Sequence, residues 1–251
     1  MRDFNREAPC GAVQVRRAVM LGMLWAIVLL VPIAHGDQGQ TAEILGRLQD
    51  CNKSRAAIRE LRPADLRDPQ MLRSVIETFR CETLIRLPWP PAGPTPTSQL
   101  LIASCQRAVP LLTEALVSPN RDVRRNVAYV LGRRRAPGAA PALRDALTKE
   151  LRRVAAISKP DEADIAVLDA IAVATALLDG KKVITQLLNE SRAGDSHCKP
   201  IEVRVISNLA DHRVDCATLS SNQCYARLSV WWERNRTKPG TAVLRLSNFE
   251  Y

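Results

Sequence analysis

The chain has 251 residues, a formal net charge of +10, 46% hydrophobic residues, 25% charged residues and only 4% aromatics. That balance is ordinary for a globular protein. The scarcity of aromatics argues against a β-sandwich or barrel and favours helices packed through small side chains.

Arg16 and Arg17 precede the apolar run Ala18 to Ala34, and Ala34-His35-Gly36 sets small residues where a signal peptidase reads. Residues 1–36 are therefore expected to be a cleaved secretory signal. The run is about seventeen residues long, at the lower limit for a spanning helix, so a retained membrane anchor is the alternative, and after cleavage no membrane span is expected. A periplasmic or secreted location follows, and loss of the leader lowers the net charge to +8 by removing four arginines and two acids. The remaining roughly 215 residues suffice for one sizeable domain.

Residues 37–86 read as two or three helices, broken at Pro63 and Pro69, with Leu72, Val75, Ile76 and Phe79 on the apolar side of a helix from about Gln70. Residues 87–97 hold five prolines and read as a loop, since each ring removes a donor and restricts the residue before it. Residues 98–193 form the regular part. One helix is expected from Ser98 through Leu116, and a second follows a cap at Asn120 or Asp122, with Val123, Val127, Val130 and Leu131 inward. Pro141 suits the first turn of a third. The nearly unbroken apolar stretch Ile165 to Leu178, closed by Asp179-Gly180, belongs in the middle of a stack. A cysteine- and histidine-bearing segment with a closing helix fills 194–236, and 237–251 is an irregular tail whose Thr241 to Ser247 alternates weakly.

Within this pattern Ala108 to Leu116 recurs 31 residues later as Ala139 to Leu147, matching Ala, Pro, Leu, an acid, Ala and Leu position by position. A period near thirty with helical spacing predicts stacked helix pairs, an architecture that offers extended surface for binding. The fold class expected is all-α, a short right-handed α-solenoid.

Ala108 to Leu147, and above all the run Asp122-Val-Arg124-Arg-Asn-Val-Ala128-Tyr-Val-Leu131-Gly132, resembles the HEAT repeat family in the short bacterial form also met in phycobilin-lyase-type proteins. About forty residues carry the likeness well, and Asp164 to Leu188 carries it loosely. The paired tryptophans Trp231 and Trp232 resemble those of the closing helix of exported proteins of this kind. The resemblance implies protein or ligand binding by a helical scaffold, with the lyases of the wider group a remote precedent for cofactor chemistry; neither catalysis nor a cofactor is expected.

Between Arg121 and Arg153 lie ten basic residues against three acids. Arg124, Arg125, Arg133, Arg134 and Arg135 are the candidate binding residues, because turns of successive repeats align along one edge and arginine captures carboxylate or phosphate in bidentate fashion. The expected partner is a protein with an acidic surface or an anionic envelope component, and export makes nucleic acid an unsuitable target.

Candidate chemistry is sparse. Gly194-Asp195-Ser196-His197 matches four residues of one esterase class but sits late in the chain, without a base or an oxyanion donor pair placed beside it. His197, Cys198, His212, Cys216 and Cys224 could close a tetrahedral metal site, which makes a metal-binding or catalytic protein the alternative function. Export favours disulfides instead, and Cys216 with Cys224 and Cys51 with Cys81 are the expected local pairs.

Overall fold

The computed structural model describes residues 36–82, 95–104, 106–193, 199–210, 212, 219–239 and 244. The leader before Gly36, the prolines of 87–94, the Gly194–Cys198 motif, Cys105, Cys216 and nearly all of the tail lie outside the described residues. The chain divides into two compact units, Met1–Glu43 and Ile44–Tyr251. Of the first, only the opening turns of one helix are described.

Among the described residues every regular element is a helix. In order they are α1 (Gly36–Gln49), α2 (Cys51–Glu60), α3 (Pro69–Glu77), α4 (Pro96–Ala103), α5 (Ala108–Ala115), α6 (Arg121–Arg133), α7 (Ala140–Ala155), α8 (Glu162–Asp179), α9 (Lys182–Ala193), α10 (Lys199–Leu209) and α11 (Ser221–Asn235). The second unit is an α-solenoid of helix pairs. Its even-numbered helices pack in file, α2 on α4, α4 on α6, α6 on α8 and α8 on α10, while α3 packs on α5 and α11 closes against α10.

The internal repeat falls in equivalent helices. Ala108, Leu112 and Leu116 of the first copy, and Ala139, Leu143, Ala146 and Leu147 of the second, are buried in the common core. The matching acids Glu114 and Asp145 face outward. Two copies therefore share a pattern because each buries the same helical face against its neighbours.

Local chemistry sets the helix ends. Asn120 is the N-cap of α6 and accepts from the amides of Asp122 and Val123. Asp161 and Asp164 close a reciprocal capping box at the start of α8, and Gly180 ends that helix at φ 62°, a conformation costly for any residue with a Cβ. The helix expected from Ser98 through Leu116 is two helices. Ser104 adopts φ −68° and ψ 161°, and its hydroxyl donates to the Leu101 carbonyl at 2.6 Å, which competes with helix continuation. At the other end of α4 the proline-rich stretch stops earlier than 97, because Thr95 caps the helix and Pro96 occupies its first turn.

The core is continuous from α1 to α11 within the second unit. α8 is buried along most of its length, from Ile165 through Ala176 save for the partly exposed Asp169. It lies against α6 closely enough that a Cβ on Gly132 would meet the Ala174 Cα at 2.9 Å. A glycine at that point lets the two backbones approach. At the end of the stack Trp232 is 4% exposed and enters the core, whereas Trp231 lies on the flank with its ring stacked on His212 at 4.5 Å. Covering an open solenoid end is a sufficient reason for the pair.

Candidate functional site

Alternate turns of such a stack fall at opposite ends of its helices, giving two edges with different chemistry. One edge carries the turns α1–α2, α3–α4, α5–α6 and α7–α8. It is stapled. Cys51 at the start of α2 is disulfide-bonded to Cys81 beyond α3, and Arg80 donates to the Gln49 carbonyl at 3.0 Å. Farther along, Arg124 donates through Nε and Nη2 to the two carboxylate oxygens of Glu150, at 3.0 and 3.2 Å. Its Nη1 reaches the carbonyls of Ser118 and Pro119. Arg153 donates to both Glu150 and Asp164, at 2.6 and 3.0 Å, and Arg121 joins Asp161 at 2.9 Å. The result is one chain of charges across α6, α7 and α8.

Titration follows the contacts. The hydrogen bond to Glu150 holds the Arg153 guanidinium above its ordinary value, and that to Asp161 does the same for Arg121. Asp161 is lowered, first by the backbone amide of Asp164 and then by Arg121. On the next helices Arg204 grips Glu162 with both terminal nitrogens, at 3.0 and 2.7 Å, which lowers the Glu162 carboxyl.

The other edge carries the turns α4–α5, α6–α7 and α8–α9, with Arg107, Arg133 to Arg135, and Lys181 with Lys182. Arg107, Arg135 and Lys182 are exposed, and Arg133, Arg134 and Lys181 are partly so. No acid occurs in Leu131–Ala140. Two of these cations tie neighbouring turns together. Arg134 donates to the carbonyls of Leu101 and Ile102, at 2.8 and 2.9 Å, and to that of Ser104, and a cation at the C-terminus of α4 is favoured by the helix dipole. Lys181 donates to the backbone carbonyl of Lys238, next to the end of α11.

The five arginines expected to bind together are therefore separated. Arg124 is 6% exposed with its guanidinium engaged by Glu150 and two carbonyls, so it leaves the surface group as a structural residue. Arg125 is 4% exposed. Its Nε and Nη2 have no hydrogen-bond partner, and burial lowers its pKa while Asp122 and Asp169 oppose that effect. Arg134 caps α4. Arg135 is exposed, at φ 47°, and Arg133 is partly exposed. Charge count alone could not separate these roles, since burial is decided by helical register: Arg124 falls between the inward Val123 and Val127, whereas Arg135 lies past the helix end. Arg107 and Lys182 were missed, although each stands at a helix entry, Arg107 at the N-cap of α5 and Lys182 at the start of α9.

The cysteine expectation is met at Cys51–Cys81, with a sequence separation of 30. Cys224 is also disulfide-bonded, and the expected partner Cys216 lies outside the described residues. A sulfur held in a disulfide is no thiolate ligand, so the metal cluster loses Cys224. His212 stacks on Trp231, and burial lowers its pKa. Among the described residues no group of three ligating side chains gathers. His197 and Cys198 lie outside them. Among the described residues, too, no helix is long and apolar enough to cross a membrane.

Compared with known proteins, residues 101–158 match the family model of HEAT repeats. No curated protein and no solved structure matches the chain significantly.

Proposed function

With HEAT repeats over residues 101–158, we propose that this chain is a non-catalytic scaffold of the cell envelope, exported by its leader, that captures an acidic protein surface or anionic envelope component along the α4–α5, α6–α7 and α8–α9 edge. HEAT repeats form a helical scaffold and commonly mediate protein interaction. The observation that carries the reading is the run of exposed cations Arg107, Arg135 and Lys182 on one edge, where no acid occurs between Leu131 and Ala140. Their fields add, because successive turns lie a helix spacing of about 10 Å apart, comparable to the screening length at physiological salt.

The test uses Arg107→Glu, Arg135→Glu and Lys182→Glu together, a set that spares Arg134 and its cap on α4. The full chain should capture a reproducible set of components from envelope extract in a salt-sensitive way, and the triple variant should release that set while keeping its helical circular dichroism. Equal capture by the folded variant contradicts the proposed edge. Sedimentation of the chain with the cytosolic fraction contradicts export independently.

A further inference from the structure

We propose that the cleft between α9 and α11 binds a small organic anion, its oxyanion held between Arg192 and Arg234 and its apolar part resting on Leu188, Val230 and Trp232. The cleft encloses about 300 Å³ and is lined also by Thr185, Asn189, Ser229 and Glu233. Its location on the outer helices makes the inference independent of the basic edge.

Comparison with the neighbouring cleft shows why this one selects an anion. Between α7 and α9 lies a space of about 400 Å³ that includes Arg144, Asp179, Gln186 and Glu190. There the arginine is neutralised inside the cleft, although Lys182 also lines it and the Gln186 Oε1 is buried without a partner. Arg144 pairs with Asp179, Gln186 donates to the Arg144 carbonyl at 2.8 Å, and Glu190 accepts from Thr148 at 3.0 Å. In the α9–α11 cleft, by contrast, the single carboxylate Glu233 is taken by Arg236 at 2.8 Å. Arg192 and Arg234 are exposed, and neither forms an ion pair with a described carboxylate. The Ser229 hydroxyl is buried with no hydrogen-bond partner, a cost that a ligand oxygen would remove.

The floor adds a second requirement. Trp232, 4% exposed, lines the cleft, and Val230 is 51% exposed, the more conspicuous because large exposed hydrophobics are few among the described residues. Two guanidiniums above an apolar floor fit an anion with a ring-sized body better than a bare ion. Phosphate monoester, sulfate ester and carboxylate all supply the oxyanion, and their order of affinity identifies the source.

Titration of the full chain with phenyl phosphate, phenyl sulfate, benzoate and inorganic phosphate, followed by calorimetry and tryptophan fluorescence, tests the site. At least one organic anion should bind saturably at millimolar concentration or below and more tightly than inorganic phosphate. Arg192→Gln and Arg234→Gln should each weaken it by about tenfold. Val230→Glu, at an exposed position, should abolish it by setting a carboxylate beside the arginines. Arg227→Gln, on α11 but away from the cleft, should leave it unchanged. The proposal fails if none of the organic anions saturates, if the Arg192→Gln/Arg234→Gln double variant binds as tightly as the parent, or if inorganic phosphate binds as well as the best of them.

Discussion

The two edges of the stack use the same residue type to opposite ends. On the stapled edge Arg121, Arg124 and Arg153 find Glu150, Asp161 and Asp164 within hydrogen-bond reach. On the other edge Arg107, Arg135 and Lys182 are exposed in their turns, and around Arg135 the sequence places no acid between Leu131 and Ala140. The lesson is that positive charge in a helical repeat is not one property. Where acids of the next repeat fall opposite, arginine is mortar; in the turns of the other edge, Arg107 and Arg135 stay exposed.

The largest break in this comparison comes from Glu150, which is 3% exposed and shared by Arg124 and Arg153. Glu150→Ala leaves the buried Arg124 without its carboxylate, and removal of one partner of a buried pair costs about 3 to 5 kcal/mol. Chemical denaturation should show that loss, with no change in the affinity of any folded molecule for anions. A loss below about 1 kcal/mol would mean that the network is incidental.

Next in size is the disulfide. Cys51 and Cys81 close a loop with a sequence separation of 30, for which loop-closure entropy gives about 3.6 kcal/mol. The double replacement Cys51→Ala with Cys81→Ala should lower the denaturation midpoint accordingly, and reduction of the parent should lower it at least as far, since the Cys224 disulfide opens as well. If reduction alone leaves stability unchanged, the staple holds nothing.

A smaller and pH-dependent effect belongs to Asp169 on α8. Burial pushes its carboxyl from 3.8 up to about 6, partly opposed by Arg204 and by a hydrogen bond from Asn208, while Glu162 adds to the rise and Arg125 subtracts from it. Between those two pH values the folded chain keeps a proton that the unfolded chain releases. The stabilisation is thus complete below about pH 4 and lost as pH rises through about 6, by an amount on the order of 2 kcal/mol for a partly exposed group. Asp169→Asn should gain stability relative to the parent above pH 7 and match it near pH 4. Parallel pH profiles would show that the carboxyl titrates normally.

Much of the fold was legible because it follows from periodicity. The spacing of Leu72, Val75, Ile76 and Phe79, of the valines of α6, and of the Ala108 and Ala139 copies places each buried side chain correctly. The split between α4 and α5 was not legible, because it turns on a serine bonding its own backbone and on a guanidinium from 30 residues away. The candidate surface was legible only in part. Sequence shows which residues are charged, but that Arg124 turns inward between Val123 and Val127 while Arg135 lies past the end of α6 depends on helical register and helix end, which a charge count does not carry. The pairing of Cys51 with Cys81 was accessible, since neighbouring helix pairs can bring two thiols within bonding distance while distant ones cannot.

The contrast between the edges is tested most directly by reversing charge on each and measuring both stability and capture. Arg107→Glu/Arg135→Glu/Lys182→Glu should keep the urea midpoint within the equivalent of about 0.5 kcal/mol, as surface changes do, and lose salt-sensitive capture from envelope extract. Arg121→Glu/Arg153→Glu should lower the midpoint strongly, because it sets glutamates against Asp161, Glu150 and Asp164. If the first variant unfolds, or stays folded and captures the same components as the parent, then the open edge is not the binding edge and the division of labour between the two is wrong.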